Sequence, residues 1–137
     1  MMKIENGRQF VSMEIAEHFP KTEGQPWDTY FMRVWGQGKY ATFDMPNISV
    51  DRQKLESFYR SRVGLHEALD GCLTQTFSRD LNFVVKMNFE KTGAVKVRAE
   101  IYDLPHCDDR CEIAFSTDQT FIAGALHQLE QMLYPES

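Results

Sequence analysis

The side chains best suited to chemistry in this chain lie close together, in a segment with two cysteines and a histidine. The segment is His106-Cys107-Asp108-Asp109-Arg110-Cys111. Thiolates and an imidazole are zinc ligands, but a structural zinc site usually takes its ligands from two such groups, and the sequence contains no second group. We therefore predict a polar loop over Asp103 to Arg110, with a metal site as the less favoured alternative.

The third cysteine, Cys72, follows His66 and Asp70, the best arrangement in the sequence for a nucleophile beside a base. We favour a buried structural thiol, since the sequence lacks the strand-turn-helix elbow that carries a nucleophilic serine. Three cysteines are an odd number, and a chain of 137 residues can form a core without cross-links. The composition thus predicts reduced thiols rather than a disulfide framework.

Carboxylates and aromatic side chains give weaker signals. The acidic residues considered for a catalytic pair are Asp28, Asp44, Asp51, Glu56 and Glu67. The sequence brings no two of them into acid-base geometry, so we interpret them as solvated surface groups. We interpret Trp27, Tyr30 and Trp35 as core residues rather than a ligand-stacking surface. No catalytic motif emerges, which favours a binding protein.

A β-hairpin from Leu81 to Tyr102 is the strongest structural feature of the sequence. Its apolar residues alternate with polar ones and are Leu81, Phe83, Val85, Met87 and Phe89, then Val95, Val97, Ala99 and Ile101. A period of two is typical of strands with one face on a core, and Gly93 suits the turn. The apolar face of this hairpin must therefore be covered by another element.

Shorter β-prone runs flank the hairpin, bounded by glycine, proline and polar residues. They predict strands over Val11 to Phe19, Thr29 to Trp35, Tyr40 to Met45, Cys72 to Phe77 and Glu112 to Phe115. The strands Thr29 to Trp35 and Tyr40 to Met45 are predicted to form a second hairpin, whose turn is Gly36-Gln37-Gly38.

Two segments show the period of an amphipathic helix. The first begins near Ser49 or Asp51, either of which suits an N-cap, and ends or is interrupted at Gly64. Its apolar face is Val50, Leu55, Phe58, Tyr59 and Val63. The second follows Ser116, Thr117 and Asp118, with Asp118 as cap, and is expected to cover the long hairpin. Its apolar face is Phe121, Ile122, Ala125, Leu126, Leu129, Met132 and Leu133.

Together these elements predict an α+β fold in a single domain spanning residues 1–137. A mainly antiparallel sheet of about six to seven strands is packed by a mid-chain helix and a C-terminal helix. The predicted core joins Phe83, Val85, Met87, Val97 and Phe115 to Phe121, Ala125 and Leu129.

Charge and hydropathy limit the range of partners. A formal net charge of −5 argues against nucleic acid and favours a basic protein. No apolar run reaches the roughly 18 residues that a membrane span needs. The start, Met1-Met2-Lys3-Ile4-Glu5, lacks the features of a signal peptide. These observations predict a cytoplasmic protein that does not enter a membrane.

Some of these features also match a known family. An acid-capped helix start, Asp118-Gln119-Thr120-Phe121, directly follows the strand that ends Ile113-Ala114-Phe115. There the chain resembles the WapI-type immunity proteins of bacterial polymorphic toxin systems and related small domains. The resemblance extends to Leu55 and Phe58, the Phe77 to Phe89 segment, the Gly93 turn, and Leu126, Leu129 and Leu133.

The resemblance implies a sheet packed by helices and a protein that protects the producing cell by binding a toxin's effector domain. None of the matching residues is catalytic, and the loop with Cys107 and Cys111 is not part of the likeness.

Two functional hypotheses follow. The first is a non-enzymatic cytosolic protein, without cofactor, whose acidic surface covers a basic site of a cognate toxin. The second is a small-molecule-binding or enzymatic domain with a pocket between sheet and helices, using Cys72 or the Cys107 loop. Under the first, loops on a rigid sheet are expected to hold the binding residues. The predicted toxin-facing residues are Asp103, Asp108, Asp109 and Glu112.

Overall fold

The computed structural model describes residues 1–24, 28–68, 71–78, 83–102 and 110–135. Within these ranges the chain forms eight strands and two helices. In order they are β1 Met2–Glu5, β2 Phe10–Phe19, β3 Thr29–Gln37, β4 Thr42–Asp51, α1 Arg52–Ala68, β5 Gly71–Thr76, β6 Phe83–Phe89, β7 Ala94–Tyr102, β8 Arg110–Asp118 and α2 Gln119–Leu133. The predicted mainly antiparallel α+β fold is confirmed.

The strands form two sheets of four, ordered β1-β2-β3-β4 and β5-β6-β7-β8, with antiparallel neighbours throughout. We expected about six to seven strands in one sheet. The strand that sequence analysis missed is β1, which has only 4 residues. Met2 and Ile4 are buried and their two neighbours only half-buried, so the alternation is real but too short to recognise.

The long hairpin is confirmed as β6 and β7, in the register Phe83↔Ile101, Val85↔Ala99 and Met87↔Val97. The predicted inward side chains of these strands are buried. Gly93 in the turn has φ 93°, a conformation that favours glycine. Leu81, where the predicted hairpin began, lies outside the described residues.

The second hairpin has its turn later than predicted. β3 continues through Gly36 and Gln37, and the turn is closed by a 2.8 Å hydrogen bond from the Gly38 N–H to the Ala41 carbonyl oxygen. Tyr40, predicted to begin a strand, lies in this turn and is 90% exposed.

Gly36 serves packing between the sheets rather than the turn. A Cβ atom at Gly36 would lie 2.9 Å from the Phe10 carbonyl oxygen and 2.9 Å from Ile113 Cδ1. The absence of a side chain therefore lets β8, which carries Ile113, lie against the first sheet.

Helix α1 begins at Arg52, directly after Asp51, one of the two predicted N-cap residues, whereas Ser49 lies in β4, which extends further than expected. Ser49 and Val50 pair with Phe31 and Tyr30 of β3, and Val50 is buried in the strand rather than on the helix. The helix also continues through Gly64, where we predicted an end or interruption. Leu55 and Phe58 are buried as expected.

Helix α2 begins as predicted, with Asp118 as N-cap accepting hydrogen bonds from the backbone N–H groups of Thr120 and Phe121. Its buried residues are Ile122, Ala125, Leu126, Leu129 and Leu133. Phe121 was wrongly placed in the core, since it is 38% exposed. The helix packs mainly against β1, α1 and β8, so it covers less of the long hairpin than expected.

The buried residues of both sheets and both helices belong to one hydrophobic cluster. Strand β8 also bonds to the first sheet at its edge, where Thr117 Oγ1 donates to the Glu5 carbonyl oxygen at 2.6 Å. Among the described residues, neither helix is long and apolar enough to cross a membrane.

Candidate protein-binding face

One face of the second sheet points away from the core and is covered with charged side chains. Along β6 and β7, Val85, Met87 and Val97 are buried. The alternating residues Lys86, Asn88, Lys96 and Arg98 are exposed. We call this surface the charged face. Its charged residues are Lys86, Lys96, Arg98, Glu100, Arg110 and Glu112.

The strand register arranges the charged face in rows across the sheet. One row reads Thr74, Lys86, Arg98 and Ala114, and the next reads Cys72, Asn88, Lys96 and Ser116. A third row aligns Glu100 with Glu112. Lys86, Lys96 and Arg98 are therefore grouped toward the Gly93 turn, and the two glutamates lie toward the paired strand ends Tyr102 and Arg110.

The first two rows line a concavity of about 470 Å³ on the charged face, which we call the basic groove. Lys86, Lys96 and Arg98 are its cations, and none of the described residues lining it is acidic. The outer positions of the rows carry short side chains: cysteine and threonine on β5, alanine and serine on β8. The groove is thus shallow-walled and positively charged.

Beside the groove, Glu100 and Glu112 hold the basic side chains in an ion-pair network. Glu100 Oε1 lies 3.2 Å from Lys86 Nζ and 2.7 Å from Arg110 Nη2. Glu112 lies 3.0 Å from Arg98 Nε and 3.1 Å from Arg110 Nη2. The carboxylate of Glu100 is almost fully buried beneath these cations, which fixes the network to the sheet.

The structure describes one of the four predicted toxin-facing residues. Glu112 lies on the charged face, as an interface would require, but its carboxylate is paired with Arg98 and Arg110 rather than free. Asp103, Asp108 and Asp109 lie outside the described residues. The described residues on either side of them, Tyr102 and Arg110, line a second concavity of about 300 Å³ that also includes Phe43 and Met45 of β4.

The cysteines are placed differently from our expectation. Cys72 is exposed in the basic groove, with Sγ 3.5 Å from Asn88 Oδ1, so it is not a buried structural thiol. Cys111 is half-buried and its Sγ lies 3.8 Å from the Thr42 carbonyl oxygen. His106, Cys107 and Asp70 lie outside the described residues. Within the ranges that the structure describes, no three His, Cys, Asp or Glu side chains are grouped as a metal site.

Two of the candidate carboxylates are engaged by arginines. Asp44 accepts hydrogen bonds of 2.8 and 3.1 Å from Arg33, which lower the pKa of its carboxyl group despite partial desolvation. The same guanidinium lies 4.2 Å from the ring centroid of Trp35, which is half-buried rather than in the core. Glu56 accepts from Arg52 at 2.7 Å. These contacts give both carboxylates a structural partner.

Sequence analysis missed the basic groove. It identified Lys86, Lys96 and Arg98 as the polar side of the hairpin, but it did not pair the two strands residue by residue. Once the Gly93 turn fixes the register, Lys86 lies directly opposite Arg98. Like charges across a strand pair are unfavourable, and that juxtaposition was the available signal.

Comparison with known proteins gives one informative match. The sequence model of a family described as the immunity protein WapI-like family matches residues 1–135. No curated protein and no solved structure matches the chain.

Proposed function

The chain belongs to the immunity protein WapI-like family, and we propose that it is a non-enzymatic cytosolic protein that neutralises a cognate bacterial toxin by binding it directly. The observation that carries this proposal is the family match over residues 1–135, which includes both sheets and both helices.

The charged face supports this proposal because it is a rigid surface with much exposed polar area. Its side chains project from four paired strands, and their positions are held by the network around Glu100. Preorganised side chains lower the entropic cost of association. We propose that the loop with Asp103, Asp108 and Asp109 extends this binding surface, together with Glu112.

The overall charge supports a basic partner. A net charge of −5 attracts a basic toxin over distances up to about the Debye length, roughly 8–10 Å at physiological ionic strength. Attraction of this kind accelerates association and disfavours acidic proteins. Neutralisation then requires only that the bound protein cover the toxin's working site.

The test is a pull-down with the full-length tagged protein from its source organism, followed by expression of the recovered partner in a sensitive host. We expect recovery of a protein with a toxin domain, a purified complex of defined stoichiometry, and survival of the host only when this chain is co-expressed. Recovery of no toxin, together with no protection against any toxin that is encoded beside this gene, would overturn the proposal.

A further inference from the structure

The basic groove has a more specific use than general attraction to a toxin. Resting on the proposed function, we propose that it receives an extended acidic segment of the toxin, with carboxylates at alternating positions. The partner is then basic as a whole but presents a local acidic segment to Lys86, Lys96 and Arg98.

The first support is the sign of the charge. On a chain with net charge −5, the described residues lining the groove include three cations and no carboxylate. The cationic side chains remain accessible: that of Lys96 is 66% exposed, although its Nζ lies 3.4 Å from Glu90 Oε1. A positively charged groove on a negatively charged protein favours binding of a locally acidic segment of the partner.

The second support is the arrangement of the cations. Lys86 and Arg98 are direct cross-strand partners, which disfavours the folded state through repulsion. The glutamates that offset this repulsion, Glu100 and Glu112, lie in the neighbouring row and also share Arg110. Lys96 pairs instead with Glu90. None of these three carboxylates lines the groove, so they offset the repulsion without filling it and leave the cationic side chains accessible to a ligand.

The third support is spacing. Lys96 and Arg98 are two residues apart on β7 and point to the same side, so their Cα atoms are roughly 7 Å apart at about 3.3 Å per residue. Alternate residues of any extended segment have the same spacing. A strand-like segment with acidic residues at alternate positions thus matches two cations at once, while the short side chains Ala114 and Ser116 leave room for its backbone.

The test uses the toxin recovered by pull-down and the full-length protein. Lys96→Glu is the main variant, and Lys54→Glu is its matched control, with the same charge change on an exposed position of helix α1. We expect Lys96→Glu to raise the Kd by about tenfold or more, and Lys54→Glu to change it by less than about twofold. Thermal unfolding of each variant verifies folding, and Lys96→Ala replaces Lys96→Glu if the reversal fails to fold.

A second readout uses only the wild-type complex. A zero-length carbodiimide reagent joins lysine amines to carboxylates in contact, so Lys86 or Lys96 should cross-link to acidic residues of one toxin segment.

Toxin binding that is unchanged in Lys96→Glu, with no such cross-link, would overturn the groove assignment and leave the proposed function intact. Wild-type protein that binds no toxin would overturn both. A groove that instead binds a single-stranded oligonucleotide, lost in Lys96→Glu while toxin binding persists, would also overturn the assignment.

Discussion

The guanidinium of Arg52 donates a hydrogen bond to the carbonyl oxygen of Leu133, 2.8 Å away, and so joins the first residue of α1 to the last residue of α2. It also donates to Tyr30 Oη at 2.7 Å and to Glu56 Oε1 at 2.7 Å. Burial lowers the pKa of Arg52, but the hydrogen bonds to Glu56 and Tyr30 outweigh it and raise the pKa overall. Arg52 therefore stays charged at the negative end of the α2 dipole.

The first expectation concerns this arginine. Arg52→Ala leaves the Leu133 carbonyl without its charged donor and, among the described residues, leaves Glu56 with only the longer contact to Arg60. It should lower the free energy of unfolding by about 1.5–3 kcal/mol. Urea denaturation followed by circular dichroism measures the change. Arg60→Ala is the control, because Arg60 also pairs with Glu56 but is largely exposed, and it should cost less than about 0.5 kcal/mol. Equal losses in the two variants would contradict the linking role of Arg52.

A second expectation separates the buried and exposed faces of α2. Leu129 is fully buried, so Leu129→Ala should cost about 2–5 kcal/mol through lost burial and a cavity. Phe121→Ala removes a larger side chain from the same helix, but Phe121 is partly exposed and should cost clearly less. The same denaturation experiment ranks the two. A loss under about 0.5 kcal/mol for Leu129→Ala would show that α2 is not docked on the core.

These two positions also show how far the sequence alone could lead. The 3.6-residue period correctly predicted α2 and the burial of Leu129, because helix periodicity follows directly from residue spacing. The period did not predict which residues at the edge of the apolar face are buried. Phe121 lies at that edge and is partly exposed. The assignment of Val50 to the α1 face was wrong for a tertiary reason: its side chain suits either a helix face or a strand, and its pairing with Tyr30 places it in β4. The basic groove depends on cross-strand register, which sequence patterns specify only after the strands are paired.

The third expectation concerns the N-cap of α2. Asp118 Oδ1 accepts from the N–H groups of Thr120 at 2.9 Å and Phe121 at 3.2 Å. Asp118→Ala should therefore cost about 0.5–2 kcal/mol, whereas Asp118→Asn keeps an acceptor and should retain most of the stability. Thermal unfolding compares the two variants. An alanine variant as stable as the asparagine variant would refute the capping role.

The fourth expectation is a pH effect at Asp44. The hydrogen bonds from Arg33 lower the pKa of the Asp44 carboxyl group, so this pair stabilises the fold above the ordinary carboxyl pKa and loses its effect as pH falls through the lowered value. Arg33→Gln should raise the pKa of Asp44 toward its ordinary value. A carbon-detected NMR titration of the Asp44 carboxyl group measures this, with Arg8→Gln as the control. An Asp44 pKa that is the same in both variants would contradict the pairing.

The last expectation concerns the loop that we propose as part of the toxin interface. Asp108 and Asp109 lie in the sequence between β7 and β8, whose paired ends Tyr102 and Arg110 are near the glutamate row of the charged face. Reversing both to lysine removes attraction for a basic toxin surface, and it should slow association and weaken the dependence of the rate on salt. Thermal stability should change little, because substitutions of exposed charges rarely alter it by more than about 0.5 kcal/mol.

The matched control reverses Glu14 and Glu17, two exposed acidic residues on β2 in the first sheet. It changes the net charge by the same amount, so any effect common to both double variants reports long-range attraction rather than contact. Stopped-flow association at two ionic strengths separates the two contributions. A slower rate only for the Asp108 and Asp109 reversal places the loop at the interface. Equal rates for both variants and the wild type would remove the loop from the interface and direct attention to the segment from Lys21 to Asp28.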